Sequence, residues 1–297
     1  MEGQPAVNYE ALTPEDLSNL LTQLFQPKTD VVKQATAILK DYFKRIRALE
    51  NLLILMSSHP EQNIRQISCV YLRKIIGNQW MNLAKENQEK TKYLLLQRFV
   101  EEPVPLIKKN IADVIGSLGK ILIPNKEWNE LFQFFFTYSS SQNLIDKELG
   151  MILLSVIIEY FSADEIKLYY DALNTIIEGH LQSGVRSLQC LAIETVNKVA
   201  QTPKAIKILK KYKNLIPLVL NALQLDQEDM IQKVFEMFNE FVEIKKVLAP
   251  HLPLLIEAAI KISLNTDFSL NLREITMLFL EQIGENYSKY LVKKAGT

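Results

Sequence analysis

Glycine is scarce in this chain, with 9 residues in 297. Strand-rich folds spend glycine on tight turns and bulges, so its scarcity favours a helical protein. Cysteine is scarcer still: Cys69 and Cys190 are the only two. Both fall in stretches of helical periodicity and read as small core residues of a reducing compartment, not as a disulfide framework. The three histidines, His59, His180 and His251, are scattered, with no HExxH and no ligand spacing, so neither a metal nor a cofactor is expected. Charge of one sign is missing too. There are 34 basic and 34 acidic residues, divided 18 to 17 before position 150 and 16 to 17 after it. Neither half is polarised, and strong attraction to nucleic acid or to an anionic membrane is not expected. The longest apolar run, around Met151–Ile158, contains Ser155 and falls well short of the roughly 20 residues that span a bilayer. The start, MEGQPAVNYE, has neither a basic stretch nor an apolar run. These absences predict a soluble, intracellular chain with no membrane insertion.

What is abundant is helical periodicity. In NIRQISCVYLRKIIGNQW (Asn63–Trp80), Ile64, Ile67, Val70, Tyr71 and Ile75 recur at three- and four-residue steps, with Arg65, Gln66, Arg73 and Lys74 around the rim. Ala48–Ser57 before it is a second amphipathic segment, and His59-Pro60-Glu61-Gln62 breaks the two into a helical hairpin. Thr13-Pro14-Glu15-Asp16 is a helix-start signal, Pro27 closes that first helix, and Asp30 is placed to cap the next. Further helices are predicted near Lys90–Phe99, over Pro105–Leu122, from Trp128, and over Leu144–Phe161. In the second half the pairs are Ala163–Leu181 with Val185–Ala200, Lys204–Leu223 with Asp229–Glu243, and Leu248–Leu264 with Ser269–Glu285; the tail Lys293–Thr297 reads as frayed. No stretch shows sustained β alternation.

The second helix of each pair opens on a basic or polar rim residue: Lys33, Arg65, Lys108, Lys147, Arg186, Gln232 and Arg273. Their mean step, about 40 residues, is that of HEAT or armadillo repeats. The fold class predicted is therefore all-α, a HEAT-repeat (armadillo-like) solenoid of about seven helical hairpins. Pairs rather than triplets favour HEAT, and tetratricopeptide repeats fit poorly because their period is shorter and steadier.

Residues with chemistry to offer are few. Gly116-Ser117-Leu118-Gly119-Lys120 lacks the spacing of a phosphate loop and lies inside a predicted helix. Acid pairs such as Glu101-Glu102 and Asp164-Glu165 stand at helix boundaries, where capping and the helix dipole account for them. Ser139–Ser141 reads as a polar inter-helix turn. An enzyme is not expected.

Ile64-Arg65, Val70–Leu72, Trp80, Ile111–Ile115, Pro124 and Trp128-Asn129-Glu130-Leu131 together resemble the N-terminal domain of importin-β-type nuclear transport receptors, the karyopherins. The similarity is concentrated over Glu61–Phe136. The later LAPHLPLLIEAAIKIS and LREITMLFLEQI, within Leu248–Ile283, resemble the branch of that family that imports ribosomal proteins and histones. The resemblance implies importin-N-terminal-like repeats over 1–136 and further HEAT repeats, continuous with them, over 137–297. It also implies a receptor active in nuclear protein import, moving between cytoplasm and nucleus. Its partners would be the GTP form of the small GTPase Ran, Phe-Gly repeats of the nuclear pore, and protein cargo. A Ran-like partner would meet the second helices, with Lys33, Arg65, Lys108, Lys109, Lys147 and Arg186 as the candidate protein-binding residues. Two departures stand against a direct transfer: family members are several times longer, and they tend to be acidic. The alternative is a non-transport HEAT scaffold with fixed protein partners in a larger assembly.

Overall fold

The computed structural model describes residues 8–201, 215–222 and 227–295. The predicted helix Lys204–Leu223 therefore falls largely outside the described residues, as do Gly296 and Thr297 of the tail. Two compact units divide the chain, Met1–Leu131 and Phe132–Thr297. Among the described residues every regular element is helical.

In the first unit, α1 (Pro14–Gln23), α3 (Ile46–Ser58) and α5 (Lys85–Glu101) alternate with α2 (Thr29–Tyr42), α4 (Gln62–Gln79) and α6 (Pro105–Leu122). Helix α1 begins as the sequence predicts. Thr13 accepts from the Asp16 N–H, Asp16 accepts from Thr13, and Pro14 takes the first helical position. Asp30 is not a cap: the cap position is Lys28, without a side-chain bond, and Asp30 lies in the first turn of α2. An acid there still meets the positive end of the helix. Each first helix packs on its second helix, and α4 lies along α6. Leu52, Met56, Ile64, Leu72, Ile76, Leu95, Phe99, Ile111 and Ile115 are sealed from solvent, as are Trp80 and Trp128. Cys69 is buried among them, and desolvation pushes its thiol up to about 12.

The second unit repeats the scheme with α7 (Asn129–Ser139), α8 (Leu144–Ile157), α9 (Ala163–Leu168), α10 (Tyr170–Leu181), α11 (Arg186–Ala200), α12 (Leu215–Ala222), α13 (Glu228–Phe241), α14 (Lys245–Leu248), α15 (Leu252–Leu264) and α16 (Leu270–Ala295). The second helices α8, α11, α13 and α16 pack each on the next. Phe279 of α16 sits at 5.4 Å from Phe235 and 6.1 Å from Phe238 of α13.

Two predicted first helices are each broken. Ala163–Leu181 divides at Tyr169, whose ring lies against Phe132 and Phe136. Leu248–Leu264 divides at a 3-10 turn over Ala249–His251, where Pro250 cannot donate to a continuing ladder. The stretch Lys245–Leu264 is long and apolar enough to cross a membrane by composition, which the sequence reading did not identify. Here it is interrupted by that turn, and Leu252, Leu255, Ala259 and Ile262 are buried in the hairpin with α16. The last helix runs ten residues past the predicted end at Glu285.

The repeat is visible in its cross-links. Side-chain bonds join Arg73 to Asp113, Ser187 to Glu148, Lys233 to Glu194 and Gln232 to Asn271, each 39 or 40 residues apart. The Cys190 thiol reaches Met230 Sδ at 3.7 Å, 40 residues away, and Glu228 accepts the Ser269 N–H 41 residues on. All of them join neighbouring second helices of one unit.

One contact in the second unit admits no side chain. A Cβ on Gly150 of α8 would lie 2.3 Å from the Ser139 backbone nitrogen at the end of α7 and 2.8 Å from its Cα. Backbone cannot yield as a flexible side chain can. Gly150→Ala should therefore destabilise the second unit by about 3 kcal/mol through overpacking, read as a lowered urea midpoint by circular dichroism. An unchanged midpoint would show that α7 moves away without cost.

Candidate protein-binding surface

The rim residues have a structural reason to recur. Arg65, Lys108, Lys147 and Arg273 each occupy the fourth position of their second helix. From there Arg65, Lys108 and Arg273 reach back across the hairpin to carbonyls at or just past the end of the first helix, where intrahelical partners are lacking. Arg65 Nη1 donates to the carbonyls of His59 and Pro60 at 3.0 and 3.1 Å. Lys108 Nζ donates to the Val100 carbonyl at 3.3 Å, and Arg273 Nε to that of Ser263 at 3.0 Å. In α11 the fourth position is Gln189, which donates to the Leu181 carbonyl at 3.0 Å. Arg186, the residue aligned from sequence, is instead the first of its helix. The sequence alignment followed charge, whereas the geometry selects reach.

Arg65 carries this furthest. Expected on the solvated rim, it is 8% exposed. Its Nε and Nη2 grip the two carboxylate oxygens of Glu102 at 3.1 and 3.0 Å, a bidentate pair joining α4 to the end of α5. Glu102, fully buried, also accepts the Val104 N–H at 3.1 Å, and Arg98 approaches it at 3.7 Å. Burial alone would raise the Glu102 pKa. The hydrogen bonds from Arg65 and Val104, with the charges of Arg65 and Arg98, outweigh it and hold the carboxyl below its ordinary value. Glu102 was read from sequence as a boundary acid near a helix start. It is the C-cap residue of α5, and its work is to neutralise a buried arginine. His59 completes the corner: it accepts the Glu61 N–H at Nδ1, so the proton is on Nε2, which donates to Ser18 at 3.0 Å.

The other candidates lie as follows. Lys33 on α2 and Lys109 on α6 are exposed, and Lys108 is half-buried. These belong to the first unit. In the second unit, Lys147 is half-buried on α8 and Arg186 half-buried at the start of α11. His180 on α10 is 4% exposed; its pKa is lowered by burial and then by the charge of Lys147.

Sequence reasoning missed the local charge balance of the second helices. Helices α4 and α6 carry Arg65, Arg73, Lys74, Lys108, Lys109 and Lys120 against the single acid Asp113. With Arg65 buried and Arg73 bonded to Asp113 at 3.3 Å, the exposed cations of this paired surface are Arg73, Lys74, Lys109 and Lys120. Lys74 also lies over the Tyr71 ring at 5.4 Å. Counting charge by helix face instead of by half-chain would have found it. Among the described residues no group of three His, Cys, Asp or Glu side chains could hold a metal ion.

Comparison with known proteins fits this architecture. The profile of the family described as IPO5-like, TPR repeats, matches residues 103–258. The 39- to 41-residue cross-links are longer than the about 34 residues of a tetratricopeptide repeat, so the hairpins are of HEAT length. Importin-4 of Mus musculus is 24% identical over 295 residues, covering 95% of this chain and 26% of the relative. A probable importin-5 homolog of Dictyostelium discoideum is 25% identical over 228 residues, 74% of this chain and 21% of its own length. The chain thus spans about a quarter of the curated relatives it matches. Among solved structures, Kap121p bound to RanGTP superposes with a TM-score of 0.72 at 20% identity, over 92% of this chain and 26% of that one. Importin beta crystallised in an ammonium sulfate condition gives 0.76 at 15% identity, over 91% and 34%. These likenesses establish the fold, an all-α HEAT-repeat solenoid.

The Arg65–Glu102 pair yields a test of stability. Glu102→Gln leaves a buried guanidinium without its counter-charge and should cost about 3 kcal/mol. Arg65→Met with Glu102→Leu should recover part of that loss. Both tryptophans, Trp80 and Trp128, lie in the first unit, so fluorescence during urea unfolding reports on it. Because the folded carboxyl titrates below the ordinary value of 4.5, its contribution is present above that pH and is lost as pH falls through the folded pKa. The gap between wild type and Glu102→Gln should therefore close in acid. A gap independent of pH would assign the effect to packing alone.

Proposed function

Because the chain belongs to the IPO5-like repeat family, we propose that it is a nuclear transport receptor of importin-β type, or the N-terminal segment of one. Its work is protein import, between cytoplasm and nucleus. The observation that carries this reading is the surface of α4 and α6, where two packed second helices present a cationic strip backed by a sealed core. A receptor that recognises a folded protein needs such a rigid, preorganised face. The partner proposed for it is Ran in its GTP form, in line with the Kap121p complex with RanGTP, whose fold this chain shares. Lys33, Lys108 and Lys109 are the proposed contacts in the first unit, and Lys147 and Arg186 those in the second. Arg65 serves by fixing the loop between α3 and α4 through Glu102 rather than by touching the partner. Phe-Gly repeats and protein cargo are the further partners proposed. Kap121p bound to Nup53p and the Kap95:Nup1 complex are solved structures whose fold this chain shares.

The test is retention of this chain on immobilised Ran loaded with GTP or with GDP. Capture by the GTP form alone is expected. Lys108→Glu/Lys109→Glu should weaken it about tenfold, the scale at which close charge pairs act across an interface. Equal capture by both forms, or by neither, would remove the GTPase from this reading.

A further inference from the structure

The hairpin of α7 and α8 closes differently from those held by Arg65, Lys108 and Arg273. The fourth position of α8 is Lys147, yet the carbonyl at the end of α7 is taken by a residue of the next hairpin. His180 of α10 is hydrogen-bonded to the Ser139 backbone. Its Nε2 is sealed from solvent and has no partner, so Nδ1 makes that bond and carries the proton of the neutral ring. Ser139 is 3% exposed and His180 4%, and the Ser139 hydroxyl is likewise sealed and unpartnered. Ser139 also lies against Gly150, where no Cβ fits. The end of α7, the middle of α8 and the end of α10 therefore meet at one sealed corner.

We infer that His180 is an acid-sensitive latch between successive hairpins, holding α10 to the end of α7 while neutral and releasing it when protonated. A proton on Nε2 turns a bare lone pair into a donor with nothing to accept it. The titratable groups at this end of the surrounding elements are Tyr138 on α7, Asp146, Lys147 and Glu148 on α8, Glu178 on α10 itself, and Arg186 and Cys190 on α11. Helix α12, which also packs on α10, has none. Asp146 is bonded to Ser141 and Glu148 to Ser187. Burial and then the charge of Lys147 disfavour the imidazolium, and together they outweigh the bond to Ser139, which favours it. A protonated ring is thus a buried cation beside an ammonium, and the corner opens to hydrate it. Once open, His180 takes its proton at the ordinary 6.5. The latch is therefore fully held above pH 6.5 and weakens as pH falls from there to the lower pKa of the closed state.

Hydrogen exchange across α7 and α10 of the full chain, corrected for the intrinsic pH dependence of amide exchange, reads the opening. The opening constant should rise up to about tenfold per pH unit below 6.5, one proton per opening, and level off once the closed ring also protonates. His180→Gln keeps a donor for the Ser139 carbonyl and cannot titrate, so its opening should be flat over the same range. Lys147→Met removes the like charge, and the total rise should shrink. Proton NMR of the His180 ring, assigned by its disappearance in His180→Gln, should show titration below 6.5. Trp80 and Trp128 fluorescence, in the first unit, should stay constant above pH 4.5, the ordinary value for Glu102. A His180 ring that titrates at 6.5 or above overturns the inference. So does a folded His180→Gln that opens in acid as wild type does. If His180→Gln does not fold, the ring titration still decides, with the His180 signal assigned by elimination in His59→Gln and His251→Gln.

Discussion

A helical hairpin of this length has apolar surface on both flanks and cannot bury both by itself. Everything else in the chain follows from that constraint. Each second helix must lie along the second helix of the next hairpin, as α4 does along α6 and α11 along α13. That demand fixes the repeat length, because a hairpin and its return must bring the same helix face back to the same place. The cross-links at 39 to 41 residues are the result. Glycine is needed at few points of such an array: at Gly184, whose φ is +69°, and at Gly150, where two backbones touch.

Closing each hairpin raises a second problem, the unpaired carbonyls at the end of its first helix. Arg65, Lys108, Gln189 and Arg273 solve it with one geometry, a long donor at the fourth position of the following helix. The solution has a hazard where the donor becomes buried. Lys108 and Arg273 stay half-exposed and need nothing more. Arg65 does not, and a buried guanidinium is tolerated only with a counter-charge and satisfied hydrogens. Glu102 supplies the charge and accepts from Nε and Nη2, while the His59 and Pro60 carbonyls accept from Nη1. One electrostatic knot thereby ties the α3–α4 corner to the end of α5.

The hairpins and their period were legible because they depend on the spacing of apolar residues, which survives divergence. Boundaries within first helices were not. The break at Tyr169 falls where its ring packs on Phe132 and Phe136, a tertiary contact that no local pattern encodes. Arg65 was misplaced for a related reason. Its helix position puts it at the rim, but rim position does not determine exposure when a carboxylate 37 residues on folds over it. Glu102, next to Glu101 in sequence, looked like its neighbour; Glu101 is exposed and Glu102 is fully buried. Adjacent identical residues on a helix end point in directions about 100° apart, so their fates diverge.

Surface function is harder to read than the fold because many polar residues on the second helices are already committed. Arg73 with Asp113, Lys233 with Glu194 and Gln232 with Asn271 serve to join one repeat to the next. Such pairs would be present whatever the protein binds, and they balance themselves in any count of charge. What matters is the remainder after that subtraction. On α4 and α6 it includes Lys74, Lys109 and Lys120; on α13 and α16 it mixes Asp229, Glu240, Glu274 and Glu281 with Lys289. Asp229 in the first turn of α13 and Lys120 in the last turn of α6 also suit their helix dipoles, which leaves Lys74 and Lys109 as cations that neither packing nor capping calls for. A net charge of zero conceals such a local excess, because the six cations and one acid of α4 and α6 are balanced elsewhere in the chain. An excess of one sign on two packed helices is nothing the hairpins themselves require, and it favours a partner of opposite sign.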